Sequence, residues 1–205
     1  MKETKGQANY LSIKESKRDK LLVKGSKFIA TAIPVGSEEE AELWIKKIKK
    51  EFHDASHNPY AYVLKKGELQ KSTDDREPSG TAGRQILSAI LSQSLKDILV
   101  VVTRYFGGVK LGTCGLSKAY YESALRVLQS CVFIQKELRE ALAIVFPKKY
   151  FDRVQMILNK GKVKVKKLAF GDRARMEIEV SEGIISKLKD ELMSKTRGEI
   201  EFEGI

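Results

Sequence analysis

Hydrophobic and polar residues follow two different periods along the first two thirds of the chain. Stretches in which apolar and polar residues alternate predict strands, whereas apolar residues three and four positions apart predict helices. The stretch at 98–103 is almost continuously β-branched, which predicts a strand at the centre of a sheet. The predicted elements are, in order, a strand at 25–34, a helix at 38–52 with Ser37 as its N-cap, strands at 60–64 and 69–72 joined by a turn at 65–68, a helix at 81–92, the strand at 98–103, a helix at 116–128, and a strand at 132–134 that closes the sheet.

The pattern starts again after residue 137 and predicts a second domain. Its order of elements, β-α-β-β-α-β, is that of a ferredoxin-like fold. We therefore predict an α+β protein with an N-terminal domain at 1–137 and a ferredoxin-like C-terminal domain at 138–205. The predicted elements of the second domain are a strand at 142–146, a helix at 151–158, strands at 163–166 and 176–180, a helix at 184–192 and a strand at 199–202.

The composition is that of a globular protein with a strong excess of positive charge. The 205 residues are 42% hydrophobic and carry a formal net charge of +11. Such a charge favours nucleic acid, nucleotides or anionic surfaces as partners, although it also serves solubility. No apolar run is long enough to cross a bilayer, and the first residues contain no apolar core of a signal peptide. We therefore expect a cytoplasmic protein without a membrane partner.

Two glycine-rich segments are candidates for binding an anion. The first, at 77–84, precedes a predicted helix, and its small residues would let an anion reach the unpaired amide groups of the first turn. Its candidate ligand-binding residues are Ser79, Gly80, Thr81, Gly83 and Arg84. The alternative is structural, because Ser79 or Thr81 could cap the helix and the glycines could permit tight packing.

The second segment, at 104–112, joins the predicted central strand to the next helix. Arg104 could bind a phosphate with two hydrogen bonds, and the Tyr105 ring could stack on a base. We interpret Phe106 as a core residue. The candidate ligand-binding residues are Arg104, Tyr105, Gly107, Gly108, Lys110 and Gly112. The alternative is that both rings belong to the core and that Arg104 pairs with Asp74 or Asp75.

A third set of residues could support catalysis instead. The two histidines and the acidic loop that follows them offer general acids and bases for hydrolysis of a nucleotide or another phosphoester. These candidate catalytic residues are His53, His57, Asp74, Asp75 and Glu77. The alternative is a loop held by ion pairs with Arg76, Arg84 or Arg104. The histidine spacing is that of a zinc motif, but the glutamate of that motif is missing, so we expect no metal and no cofactor.

Three motifs in this order carry a family resemblance. They are His53-x-x-Ser56-His57-Asn58, Asp74-Asp75-x-Glu77-Pro78-Ser79-Gly80-Thr81-Ala82-Gly83 and Arg104-Tyr105-Phe106-Gly107-Gly108-x-Lys110-Leu111-Gly112. Together they resemble the IMPACT family, in particular its bacterial YigZ-type members. The resemblance implies an N-terminal domain with the βαβ topology of a small-subunit ribosomal protein and of translocation factor G. It also implies a C-terminal domain similar to the last domain of that factor.

The resemblance also implies a role in translation. Eukaryotic members of the family regulate translation under amino-acid starvation by competing for a partner of a kinase that acts on an initiation factor. We therefore expect a translation-associated regulator that binds RNA, the ribosome, translation factors or a phosphate-bearing ligand through the two glycine-rich segments. The alternative is the hydrolase described above, and the sequence leaves open whether the protein is an enzyme.

Overall fold

The computed structural model of the protein describes residues 9–64 and 68–204. Most of the predicted turn at 65–68, and the first eight residues, on which the expectation of no signal peptide rests, lie outside the described residues. Within the described part, five helices and eleven strands in three sheets confirm the α+β class. That part forms two compact units, one spanning Tyr10–Lys136 and the other holding Asn9 and residues 137–204. None of the described helices is both long and apolar enough to cross a membrane.

The N-terminal unit is built on a five-stranded sheet. Its elements are β1 (Asn9–Ile13), β2 (Lys17–Val23), β3 (Ser26–Pro34), α1 (Glu38–Glu51), β4 (Tyr60–Leu64), β5 (Leu69–Thr73), α2 (Gly83–Ser92), β6 (Ile98–Tyr105), α3 (Gly112–Gln129) and β7 (Phe133–Glu137). The strand order is β2-β3-β6-β4-β5, and every neighbouring pair is antiparallel.

The strand β6 lies at the centre of this sheet, as its β-branched sequence predicts. Ile98, Val100 and Val102 belong to the core beneath α2 and α3. Leu99 and Val101 point to the opposite face and belong to the core beneath α1. Because helices cover both faces of the strand, both sets of alternating side chains have to be apolar.

Three strands differ from the prediction. Neither β1 nor β2 has a predicted counterpart. β2 is an edge strand whose charged residues are mostly exposed, so hydrophobic periodicity does not identify it. The strand expected at 132–134 begins at Phe133, and it does not close the main sheet. It pairs with β1 in a separate two-stranded sheet. Hydrophobic periodicity identifies strands but not their partners, which explains this error.

The two first helices begin in different ways. Ser37 caps α1 as predicted, because its hydroxyl accepts a hydrogen bond of 3.2 Å from the Glu40 amide. Helix α2 begins at Gly83, two residues later than predicted, and no side chain of its N-cap residue binds the first turn. The Thr81 hydroxyl donates to the Pro78 carbonyl at 2.6 Å. The amide groups of this turn bind the side chain of Asp74 instead.

The C-terminal unit confirms the ferredoxin-like order. Its elements are β8 (Arg139–Phe146), a 3₁₀ turn (Lys148–Tyr150), α4 (Phe151–Lys160), β9 (Lys164–Phe170), β10 (Ala174–Ser181), α5 (Glu182–Lys195) and β11 (Glu201–Gly204). The antiparallel order β11-β8-β10-β9 places the fourth strand beside the first and the third beside the second. A separate apolar core, which includes Ile144, Ile157 and Leu188, joins this sheet to both helices.

Candidate functional site

A buried ion pair joins the two glycine-rich segments. The Arg104 guanidinium donates through Nη1 to Glu77 Oε1 at 2.6 Å, and the Tyr120 hydroxyl donates to the same oxygen at 2.6 Å. The pair is buried, with only 7% of the Arg104 side chain and 3% of the Glu77 side chain exposed. These contacts confirm the alternative of a loop held by ion pairs, with Glu77 as the partner of Arg104 in place of Asp74 or Asp75.

The phosphate hypothesis requires Arg104 to lie on an open face, but the structure buries this residue. Near the end of β6 its backbone forms an antiparallel bridge with His57, in which the Arg104 amide donates to the His57 carbonyl at 2.8 Å. Its guanidinium carbon lies 5.6 Å from the Phe28 ring centre and 5.7 Å from that of Phe106. Its Nε is shielded from solvent and has no hydrogen-bond partner among the described residues. The positive charge therefore lies beneath the surface.

Tyr120 is a further member of this cluster, and sequence reasoning placed it only on the apolar stripe of a helix. Burial, followed by the hydrogen bond to Glu77, raises the pKa of the Tyr120 hydroxyl. The hydroxyl thus stays protonated and donates. A tyrosine within an apolar stripe needs a polar partner for its hydroxyl, and this requirement is the signal that could have identified it.

The amide groups at the start of α2 bind a carboxylate of the protein itself. Asp74 Oδ2 accepts from the Gly80 amide at 2.8 Å, and Oδ1 accepts from the amides of Ala82 and Gly83 at 3.0 and 2.9 Å. A Cβ atom on Gly83 would lie 2.5 Å from the carbonyl oxygen of Thr73. Helix capping and close packing therefore account for this segment, and the expected external anion would find these amides occupied.

The acidic loop and His57 hold one another in place. Asp75 accepts from Lys49 Nζ at 2.8 Å and from the Asn58 amide at 2.7 Å. Although burial alone would raise it, these hydrogen bonds lower the pKa of Asp75 below its ordinary value. His57 Nδ1 lies 2.9 Å from the Asp75 carbonyl oxygen, so this nitrogen carries the proton. His53 is exposed.

This arrangement gives little support to the hydrolase. Asp74 and Asp75 each accept hydrogen bonds from structural donors at both carboxylate oxygens, and Glu77 is paired with Arg104. In the described part of the chain, no three histidine, cysteine or acidic residues are placed to hold a metal ion. General acid–base catalysis requires a group with a free proton site facing the substrate, and all three carboxylates are engaged in structural contacts.

A cleft opens where the second glycine-rich segment meets the first turn of α3. We name it the α3 cleft; its volume is about 320 Å³. Its lining residues are Glu77, Pro78, Arg104, Phe106, Lys110, Leu111, Gly112, Thr113 and Leu116. Phe106 is 50% exposed, so its interpretation as a core residue is wrong. No side chain caps α3 at Leu111, and Lys110 is exposed beside this turn.

The α3 cleft brings together only part of the predicted ligand-binding set. Arg104, Lys110 and Gly112 of that set line it, together with Glu77 from the candidate catalytic set. The predicted residues that are not among its lining residues are Ser79, Gly80, Thr81, Gly83, Arg84, Tyr105, Gly107 and Gly108. Sequence reasoning missed the apolar residues of the cleft, above all Phe106. The signal that could have identified Phe106 is its position between the end of a strand and two glycines.

Tyr105 and Gly107 have structural roles outside the cleft. The Tyr105 hydroxyl donates to Asp54 at 2.7 Å, and Lys27 Nζ lies 4.3 Å from the centre of the ring. The ring face proposed for stacking therefore already carries a cation. A Cβ atom on Gly107 would lie 1.9 Å from the carbonyl carbon of Gly25, so glycine is needed for the close approach of two backbones.

Comparison with known proteins decides the family. The family model described as the Impact N-terminal domain matches residues 24–128. The IMPACT family member YvyE of Bacillus subtilis is 31% identical over 196 residues, which cover 95% of this chain and 90% of that protein. The chain belongs to the IMPACT family. All the residues that line the α3 cleft lie within the segment matched by the IMPACT model.

Other IMPACT relatives match shorter parts of the chain. The IMPACT family member YigZ of Escherichia coli is 36% identical over 101 residues, 48% of this chain and 50% of that protein. Protein IMPACT of Oryctolagus cuniculus is 36% identical over 93 residues, 42% of this chain and 29% of that protein. A crystal structure described as that of a hypothetical protein shares the fold, with a TM-score of 0.79, 22% identity and coverage of 96% of this chain and 97% of that one.

Proposed function

We propose that this IMPACT-family protein is a translation-associated regulator that binds an anionic partner, namely RNA, the ribosome or a nucleotide, at the α3 cleft. The association with translation rests on the likeness to proteins named IMPACT in eukaryotes, which extends over 93 residues of the chain for the Oryctolagus cuniculus protein. The location of the binding surface rests on the geometry of the N-terminal unit.

The observation that carries the proposal is the difference between the starts of α2 and α3. Asp74 binds the free amides of α2, whereas α3 has no side-chain cap. The uncapped turn carries the positive end of the helix dipole, and Lys110 lies beside it. An external phosphate or carboxylate would occupy at α3 the position that Asp74 occupies at α2.

The remaining walls of the cleft favour a partner with a flat apolar part. Phe106 is half exposed, and Pro78, Leu111 and Leu116 add apolar surface. A nucleobase could stack on Phe106 while its phosphate reaches the start of α3, and stacking of this kind tolerates any base. The negative charge of Glu77 does not oppose such a partner, because Arg104 compensates it at 2.6 Å.

Filter binding with bulk RNA tests the proposal. We expect wild-type affinity to fall with salt and Lys110→Ala to weaken binding and to reduce the salt slope by about one. Lys118→Ala is the matched control, because Lys118 is an exposed lysine of α3 that does not line the cleft. Competition by a mononucleotide would distinguish a nucleotide partner from RNA. The absence of salt-sensitive binding, or equal effects of the two lysine variants, would overturn the proposal.

Arg104→Ala is unsuitable for this test. Removing Arg104 leaves the Glu77 carboxylate buried without its charged partner, and such changes cost about 3–5 kcal/mol of folding free energy. A loss of RNA binding in that variant would therefore report unfolding as readily as a lost phosphate contact.

A further inference from the structure

One edge of the C-terminal sheet is long and open. The strand β9 pairs with β10 on one side, and no described strand pairs with it on the other. Because every second residue of an antiparallel strand points its amide and carbonyl groups away from the neighbouring strand, the outer edge of β9 carries unpaired backbone groups. All seven residues of β9 are exposed. The edge is therefore accessible for pairing with another strand.

The opposite edge of the same sheet is protected. The strand β11 has only four residues, and its Glu201 and Glu203 pair with Arg173 and Arg175. Short length and charged side chains are common ways to keep an edge strand from pairing with another chain. The strand β9 is nearly twice as long and exposes three large apolar side chains. Its lysines are its main protection, and they act only against some partners.

The apolar side chains of β9 lie on the helix-covered face of the sheet. Val165, Leu168 and Phe170 are opposite buried core residues of β10. Since directly opposed residues project from the same face, these three side chains extend the core to the edge. They nevertheless remain 44%, 45% and 58% exposed. The centre of the Phe151 ring of α4 lies 5.3 Å from that of Phe170, so an apolar shelf runs along β9 beside this helix. We name these three residues the β9 shelf.

The basic side chains of β9 lie on the opposite face of the sheet. Lys164 and Lys167 are opposite acidic residues of β10. Lys166 is the extra residue of a β-bulge, and it reaches the same face because its Nζ lies 3.1 Å from Glu179. These acidic residues are on the inner side of β9, and β9 itself contains none. A strand added outside β9 would therefore meet a row of lysines on this face.

The charge of β9 determines which kind of strand fits its outer edge. Opposite charges directly across a strand pair stabilise the pair, whereas like charges destabilise it. A second copy of this chain would set the lysines of one β9 against those of the other, so the edge disfavours a homodimer. In an extended segment that alternates acidic and apolar residues, successive side chains point to opposite faces. The acidic ones would meet the lysines, and the apolar ones would cover the β9 shelf.

We propose that the outer edge of β9 binds an extended peptide segment of alternating acidic and apolar residues, which adds a fifth strand to the C-terminal sheet. Main-chain hydrogen bonds hold the backbone of the segment, and the two faces of β9 select its side chains. The edge belongs to the C-terminal unit and the α3 cleft to the N-terminal one, so the two proposals stand or fall separately.

Fluorescence anisotropy of a short labelled peptide of alternating glutamate and valine tests the proposal on the full chain. We expect saturable binding. A peptide of alternating glutamate and serine should bind at least about tenfold more weakly, because it leaves the β9 shelf exposed to water. A peptide of alternating lysine and valine should not bind, and equal affinity for it would refute the selection by charge.

Two lysines of β9 can be neutralised without disturbing the core. Lys164→Gln/Lys167→Gln should weaken binding about fivefold, because two exposed charge pairs with the peptide are lost. The matched control is Lys148→Gln/Lys195→Gln, which neutralises two exposed lysines of the same unit outside β9. Equal effects of the two double variants would contradict the proposal.

The apolar shelf is tested in the same way. Leu168→Ala should weaken binding of the glutamate–valine peptide about fivefold, because the apolar area covered by the peptide shrinks. Met193→Ala is the control, since Met193 is an apolar residue of α5 with nearly the same exposure. A wild-type dimer that Leu168→Asp dissociates in sedimentation would assign the edge to a second copy and would overturn the choice of an acidic segment.

Hydrogen exchange of the wild-type chain locates the added strand without any substitution. We expect the peptide to slow the exchange of alternate amides along β9, because pairing would engage only those that point outwards. The amides of β11, the acidic edge, should be unaffected. Bound peptide without slower exchange in β9, or with equal slowing in β11, would overturn the proposal.

Discussion

Inside the N-terminal unit, two donors converge on one carboxylate oxygen of Glu77. Arg104 and Tyr120 each donate to Oε1 at 2.6 Å, and His57 Nε2 lies 3.9 Å from the same atom. Desolvation of an ion pair is costly, and only good geometry and further hydrogen bonds offset it. The cluster connects β6, α3 and the loop that precedes α2, so the loss of one donor should weaken the packing of all three elements.

Replacement of Tyr120 by phenylalanine isolates one of these hydrogen bonds. The ring volume is kept, while the buried carboxylate loses a donor, so we expect a loss of about 1.5–3 kcal/mol in the free energy of unfolding. Urea denaturation measures this loss. Tyr121→Phe is the control, since the Tyr121 hydroxyl has no partner among the residues described, and it should change stability by less than about 0.5 kcal/mol. Equal effects of the two variants would show that the hydrogen bond to Glu77 contributes nothing.

Asp75 makes stability depend on pH in the acidic range. Its pKa is lowered in the folded state, so the unfolded chain takes up the proton first as the pH falls. The stabilisation is fully present above the ordinary aspartate pKa of about 3.9 and is lost as the pH falls through the lowered pKa of the folded state. Asp75→Asn removes this dependence and tolerates the left-handed backbone at φ 44°.

The stability difference between the wild type and Asp75→Asn should therefore shrink as the pH is lowered from neutral. Urea unfolding of both proteins at a series of pH values measures it. A difference that stays constant over the whole acidic range would contradict the lowered pKa.

Close approach of two backbones positions the loop between β6 and α3. The carbonyl of Gly25 lies against Gly107, where a Cβ atom would be 2.1 Å from the oxygen. We expect Gly107→Ala to displace this loop and to cost about 1–3 kcal/mol in the free energy of unfolding. Gly36→Ala is the control, because its Cβ would meet only Glu40 Oε2 at an ordinary 3.8 Å. Thermal unfolding compares the two variants, and equal melting temperatures would refute the packing role of Gly107.

Local sequence was sufficient for some elements and insufficient for others. The strand Tyr60–Leu64 has the predicted bounds, and Ser37 caps α1 as predicted, because both depend on neighbouring residues. The cap of α2 could not be predicted in this way. Asp74 lies eight and nine residues before the amides of Ala82 and Gly83, and only the tertiary fold brings them together.

The candidate site shows the same division. The place of Lys110 in a glycine-rich loop predicts that it binds an anion, and in the structure Lys110 lines the α3 cleft. Arg104 has the same sequence signal, but the bridge from β6 to His57 and the pair with Glu77 bury it.

The chain carries a net charge of +11, and its two units present their positive charges in different surroundings. On the N-terminal unit, the α3 cleft combines the cation of Lys110 with the exposed ring of Phe106. On the C-terminal sheet, lysines of β9 are paired with acidic residues of β10, namely Lys166 with Glu179 and Lys167 with Glu177.

The N-terminal unit should fold and bind without the C-terminal one. Each unit has its own apolar core, which is the property that allows a domain to fold alone. We propose the boundary at residue 137 and expect a chain of residues 1–137 to unfold cooperatively and to keep the RNA affinity. Circular dichroism melts and filter binding with bulk RNA measure these properties, with residues 138–205 as the matched fragment. A non-cooperative melt of the first fragment would contradict the boundary, whereas a folded fragment that has lost RNA binding would place the partner's contacts in the second unit.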